Sequence, residues 1–169
     1  MKLPRLLKHL IAPSWLARRA FPSATLQAIE SAVKAMEQRH AGELRFVVEA
    51  GLPLQHLWHG VTARERAVEV FSQLRVWDTE HNNGVLIYLQ LIDRRVEILA
   101  DRGINARVAQ SEWDAICREM EAMFRTRAYA QGALQAVASI GQLLAENFPA
   151  ASGSGEMIAN ELPDRPLLL

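Results

Sequence analysis

One cysteine, Cys117, is all that this chain of 169 residues contains. A lone thiol excludes an internal disulfide framework and favours a reducing compartment. Net charge of one sign is missing as well. Nineteen Lys and Arg balance nineteen Asp and Glu, so no overall field steers the molecule toward nucleic acid or an acidic substrate. No apolar run approaches the roughly 18–20 residues that a membrane-spanning helix needs. Pro4, Lys8, His9 and Pro13 interrupt the N-terminal apolar stretch, and no small-residue cleavage site follows, so the chain reads as cytoplasmic. The glycines never fall into P-loop or dinucleotide spacing, and a Gly-x-Ser-x-Gly elbow is absent. With no basic stripe on any predicted helix and few aromatics, nucleic-acid binding is excluded too.

What is present suffices for a single domain, since a globule of this size buries about 68–70% of its unfolded surface without staples. Residues 1–22 hold three prolines and all five of the basic groups Lys2, Arg5, Lys8, Arg18 and Arg19 before the first carboxylate, Glu30. This stretch reads as a basic amphipathic arm for contact with an anionic or membrane surface, with a short segment packed on its own domain as the alternative. From 23 to 148 the patterning is that of a compact domain. Leu26, Ile29, Val33 and Met36 predict a helix from Ser23 to about His40. Leu44, Phe46 and Val48 alternate with Arg45 and Glu49, predicting a strand with one covered and one more polar face. Residues 51–61 read as irregular; His56 and His59 are a weak metal pair, and packing of Leu57 and Trp58 under a loop is the preferred reading. Thr62-Ala-Arg-Glu65 is a capping box opening a helix to about Leu74.

The segment from His81 to Gly103 carries the most information. Asn82-Asn83-Gly84 is a turn into Val85–Leu91, a nearly continuous apolar run that predicts a central strand covered on both faces. Asp93-Arg94 reverses the chain into Val96, Ile98 and Ala100, and so short a connection requires an antiparallel hairpin. Two further helices are predicted, one opened by a cap-like pattern at Ser111–Asp114 and one from about Ala128 to Asn147. Cys117 belongs to the buried stripe of the first and reads as core, not as a nucleophile. Residues 149–169, rich in Ala, Ser, Gly and Pro, read as a flexible tail. The order of elements predicts an α/β fold, a small mixed sheet with helices on both faces and one antiparallel hairpin.

Asn83-Gly84-Val85-Leu86-Ile87, Arg95-Val96-Glu97-Ile98, Gly103, Trp113 and the Phe124…Tyr129…Gly132 segment together resemble the TPM domain family, over about Leu26 to Phe148, as a short bacterial-like member without an export signal. The resemblance implies an α/β sandwich. It also implies either an accessory module working near membranes, or calcium binding and phosphatase-like activity. The carboxylate that often precedes the Asn-Gly is Asn82 here, and the glycine-rich exit of the second hairpin strand is Ala100-Asp101-Arg102-Gly103.

Loops at strand ends are where α/β folds place binding groups. Asp78, Glu80, Asn82 and Asp101 are therefore the candidate ligands of a hard divalent cation, calcium or magnesium, which takes six to eight oxygens. The competing reading makes them solvated loop charges and turn caps. Arg102 joins the arm's basic residues as a candidate anion or membrane-surface contact. No residue presents itself as a catalytic nucleophile. The function expected is a non-enzymatic binding or accessory module with a protein partner beside a membrane; the alternative is a divalent-metal-dependent, phosphatase-like hydrolase built on Asp78, Glu80 and Asp101.

Overall fold

The computed structural model describes residues 9, 15–149 and 160–169. Helices α1 (Trp15–Ala20) and α2 (Ser23–Glu37) lead into strand β1 (Glu43–Glu49), followed by helices α3 (Leu54–Trp58) and α4 (Ala63–Gln73). The hairpin β2 (Gly84–Gln90) and β3 (Arg95–Ala100) comes next, then α5 (Arg102–Asn105), α6 (Gln110–Arg125), α7 (Tyr129–Asn147) and β4 (Leu167–Leu168). The four strands lie in the order β3-β2-β1-β4. β1 is parallel to β2 and to β4, and β2 is antiparallel to β3. This is the expected α/β architecture with one antiparallel hairpin.

The nearly continuous apolar run of β2 has the physical cause read from it, because every residue of the strand is buried. Val85, Ile87 and Leu89 join Phe46, Val48, Val96 and Ile98 beneath α2, α6 and α7. Leu86 and Tyr88 point the other way, with Val47 and Leu99, against Ala63, Ala67 and Val70 of α4. The helices thus form a thick layer on one face and a thin one on the other. The capping box forms as the sequence predicts, with the Glu65 N–H donating to Thr62 Oγ1 at 3.2 Å and the Thr62 N–H donating to Glu65 Oε2 at 2.7 Å.

Several local expectations fail for identifiable reasons. α6 begins at Gln110 behind Ala109, whose methyl cannot cap it, so Ser111 is already inside the helix. Residues 51–61 contain α3, on which Leu57 is buried but Trp58 is 71% exposed instead of packed. His56 and His59 serve different partners, Glu69 Oε2 at 2.7 Å and the Gln55 carbonyl at 2.8 Å.

Both predicted domain boundaries also move. Within the supposed arm, Ala17 and Phe21 are core residues. Phe21 packs against Phe46, Phe124 and Tyr129 with ring centroids 5.8–6.2 Å apart. His9, with no side-chain exposure, sits 3.1 Å from Asp93 and accepts the Leu52 N–H at 3.0 Å. An aromatic ring buried this completely makes residues 15–22 part of the domain, whatever their charge. At the other end, the flexible-tail reading of 149–169 does not hold for 160–169, which contain a sheet strand and the buried Leu162. Lys2, Arg5 and Lys8 lie outside the described residues. No helix among the described residues is long and apolar enough to cross a membrane.

Candidate functional site

The amino ends of β1 and β2 and the carboxyl end of β3 meet at one rim of the sheet, because β2 runs parallel to β1 and antiparallel to β3. Asn83 is the hub of this rim. Its N–H donates to Thr79 Oγ1 at 3.0 Å, its carbonyl accepts the Glu43 N–H at 3.0 Å, and its side-chain amide donates to the Ala41 carbonyl. Across the hairpin, the Asp101 N–H donates to the Gly84 carbonyl at 2.8 Å, and Asp101 Oδ1 caps α5 by accepting the Arg102 N–H at 2.7 Å.

Two glycines permit this closeness. A Cβ on Gly84 would lie 1.9 Å from the Val76 carbonyl oxygen, and one on Gly103 would lie 2.5 Å from the Asn82 carbonyl oxygen. Asn82 itself adopts a left-handed backbone with φ of 52°, a conformation Asn tolerates better than most residues. Its Oδ1 accepts Arg102 Nε at 2.8 Å.

The expected cation set therefore divides. Asn82, Asp101 and Arg102 are brought together. Asp78 is exposed, 3.9 Å from Arg75 on its own turn. Glu80 is exposed, and its N–H donates to Glu161 Oε2 at 3.0 Å. Among the described residues no three His, Cys, Asp or Glu side chains converge as a metal-holding group. Of the expected surface contacts, Arg18 and Arg19 are exposed on α1, with the Arg19 guanidinium 5.7 Å over the Trp15 ring.

Among the described residues, three buried polar atoms at this rim have no hydrogen-bond partner: Asn83 Oδ1, Asp101 Oδ2 and His40 Nε2. His40 was not singled out in the sequence. Its Nδ1 accepts the Gly42 N–H at 3.0 Å, and burial holds its pKa down at about 4, so the ring is neutral with its proton on Nε2. The only signal for it was a histidine two residues ahead of a strand-opening glycine.

A second polar cluster, at the opposite rim, also escaped the sequence reading. Arg66 of α4 grips Glu49 with Nε and Nη2 at 2.9–3.3 Å, and its Nη1 donates to Glu69 at 3.1 Å. The Tyr88 hydroxyl donates to the same Glu49 carboxylate. Burial, then the Glu49 charge, pushes the Tyr88 phenol far above its usual range. Arg66, Glu49 and Tyr88 partner one another within the chain, which makes the cluster structural. Between β3 and α6, a cleft of about 190 Å³ is lined by Arg95, Glu97, Asp114, Arg118, Glu121 and Cys117. Burial and the Glu97 charge push the Cys117 thiol up to about 12, too high to act as a nucleophile.

The sequence profile of the TPM domain matches residues 18–143. The chain belongs to the TPM domain family. Its beginning at residue 18 agrees with the burial of Phe21 and not with a boundary at 23. Among solved structures, the fold is similar to BA42 protein from the psychrophilic bacterium Bizionia argentinensis, at 27% identity and a TM-score of 0.75, covering 88% of this chain and 95% of that one. The N-terminal domain of a P. gingivalis protein is similar at 20% identity and a TM-score of 0.61, over 81% of this chain and 90% of that one. The N-terminal domain of the cg2496 protein from Corynebacterium glutamicum follows at 20% and 0.51, over 79% and 76%. These last two show the TPM fold alone. No curated protein matches the chain. The aromatic–Tyr–Gly segment of this TPM domain has a packing role, since the tilted Phe124 and Tyr129 rings, 5.2 Å apart, both pack against Phe21.

Proposed function

We propose that this TPM domain is a non-enzymatic binding and accessory module whose ligand at the β2 entry is a hard divalent cation, calcium or magnesium. The observation that carries the reading is the pair of buried oxygens Asn83 Oδ1 and Asp101 Oδ2, which have no partner among the described residues. A buried acceptor left unpaired costs about 1–3 kcal/mol, so native proteins rarely keep one without a ligand or water. A cation that prefers carboxylate and amide oxygens satisfies both. Asn82 and the main-chain carbonyls of the 78–83 loop are the further oxygen donors of this rim, and Asp78 and Glu80 join only if that loop moves. His40, a neutral donor through Nε2, is not a ligand.

The test is a thermal melt with calcium or magnesium added to wild type, Asp78→Ala and Asp101→Asn. A ligand at a hundred times its dissociation constant stabilises by ~2.7 kcal/mol. For a domain of this size that raises the midpoint by on the order of 5–10 °C. The rise is expected in wild type and Asp78→Ala and is absent in Asp101→Asn, which keeps the α5 cap but loses the charge. No rise in wild type at saturating metal would sink the cation reading. A second reading, phosphatase-like hydrolysis, is favoured by the exposed Arg102 beside Asp101, which offers charge to a phosphoryl oxygen. Metal-dependent phosphomonoester turnover lost in Asp101→Asn would select it.

The partner we assign to the module is a protein beside a membrane, with weak contact of the basic N-terminal stretch to the surface. Trp15, Arg18 and Arg19 are exposed together on α1, a combination suited to an anionic interface. Sedimentation with vesicles containing anionic lipid is expected for wild type at low salt. It is expected to fall several-fold in Arg18→Glu/Arg19→Glu and at high salt. Equal sedimentation of both proteins would remove α1 from the contact.

A further inference from the structure

Residues 160–169 lie beyond the matched TPM residues 18–143, yet they sit on the edge of β1 as a bound peptide would. Leu167 and Leu168 pair with Val47 and Val48, and the Leu169 N–H donates to the Val48 carbonyl at 2.9 Å. Leu162 is buried in the thin layer with Val47, Val70 and Val76, and Pro166 is buried as well. Around these anchors two side chains of β1 hold the main chain of the segment. Arg45 Nη1 donates to the carbonyls of Pro163 and Arg165 at 2.6 and 2.5 Å, and Glu43 Oε2 accepts the Leu162 N–H at 3.2 Å. Arg45 and Glu43 are themselves buried, at 8% and 2% exposure. Buried ionisable groups whose partners belong to another segment are costly to leave bare, so this edge is built around an occupant.

The occupant carries a pattern, Leu162-Pro163-Asp164-Arg165-Pro166-Leu167-Leu168. Its prolines fix φ in advance, which lowers the cost of ordering, and extended proline-bearing chain is recognised through carbonyls of the kind that Arg45 grips. The tether is slack. The Phe148 carbonyl accepts the Ala41 N–H at 3.1 Å, and Leu162 is held by Glu43 only two residues further along. The chain from 149 to 161 has a reach of about 40 Å, far more than that gap needs. We propose that the edge of β1, with Arg45 and Glu43, is a docking site for an extended segment of a partner protein with the pattern apolar-Pro-x-x-Pro-apolar-apolar, and that residues 160–169 occupy it in cis as a built-in competitor. The inference rests on the reading of the domain as a module with a protein partner, and stands apart from the cation and from α1. A tethered occupant acts at an effective concentration of roughly millimolar, which a partner has to outbind.

Fluorescence anisotropy on the full chain tests this, with a labelled synthetic peptide of residues 160–169 as the probe and no metal or vesicles present. Failure here therefore leaves the cation melt and the vesicle sedimentation untouched. Wild type, already occupied, is expected to bind the peptide weakly. Leu162→Asp/Leu168→Asp loosens the cis segment without altering β1, and is expected to bind at least about ten-fold tighter. Adding Arg45→Met to that chain is expected to weaken binding about ten-fold or more. A peptide with Glu161→Ala and Arg165→Ala, both exposed positions, is expected to bind within about three-fold of the original. Equally weak binding by wild type and the loosened chain, or loss of binding by the alanine peptide, overturns the proposal. So does a wild-type dimer that disappears in the loosened chain, because it gives the edge to a second copy. Should the loosened chain fail to fold, amide exchange on isotope-labelled wild type with excess unlabelled peptide decides. Lost protection at Leu169 with β2 still protected supports the site, and unchanged protection overturns it.

Discussion

Replacing Arg66 with Met is expected to lower the unfolding free energy by about 3–5 kcal/mol, because it strands the Glu49 charge in the interior. Glu49 and Arg66 have side-chain exposures of only 4% and 9%, so water cannot replace the lost guanidinium. The Tyr88 hydroxyl stays bound to that carboxylate but cannot neutralise it. The double substitution Glu49→Gln/Arg66→Met removes both charges and leaves Tyr88 an acceptor. It is expected to recover most of the loss, since replacing a buried ion pair by neutral groups of similar volume is often near neutral. Urea unfolding of the three proteins measures both quantities. An Arg66→Met protein within about 1 kcal/mol of wild type would show that the pair is hydrated.

Gly84→Ala is expected to be at least as damaging, at about 4 kcal/mol or more, above the usual cost of overpacking because this site cannot relax. The added methyl would sit 1.9 Å from the Val76 carbonyl oxygen. Neither side can give way freely: Val76 is buried, and Gly84 is held between Glu43 on one neighbouring strand and Asp101 just past the end of the other. Gly60→Ala is the control. Gly60 has a φ of 70° but open space around it, so its cost is the backbone term alone, roughly 1–2 kcal/mol. Thermal melts separate the two, with a midpoint loss on the order of 10 °C for Gly84→Ala and a few degrees for Gly60→Ala. Similar losses would mean that the β2 entry yields to the methyl.

The parts of the fold that could be read from the chain were those in which one segment carries its own signal. Val85–Leu91 is apolar at every position but Gln90, and only a strand covered on both faces explains such a run. Asn82-Asn83-Gly84 is a turn by composition, and Asp101 before Arg102-Gly103 is a cap by chemistry. What escaped depends on residues far apart in sequence. Arg45 and Glu49 alternate correctly with the apolar positions of β1, so a polar face is the natural expectation. That face is buried because Arg66, 17 residues away, and carbonyls of the C-terminal segment, about 120 away, come to meet them. Phe21 is one aromatic ring amid basic residues and prolines, and nothing local marks it as central to the core. β4 is two residues long, too short for any period to register. The candidate site was half legible: Asn82 and Asp101 follow from strand-end logic, while His40 and the partnerless state of Asn83 Oδ1 appear only when the rim is assembled.

β4 comes after every other element in chain order, yet it pairs with β1, the first strand. During N-to-C synthesis the helices and the three other strands are therefore complete while one side of Phe46-Val47-Val48 still lacks its neighbour. A bare apolar edge is a template for pairing with other chains. Shortening the chain before residue 160 would make that interval permanent, so soluble yield and resistance to aggregation depend on ten residues that contribute little to the core.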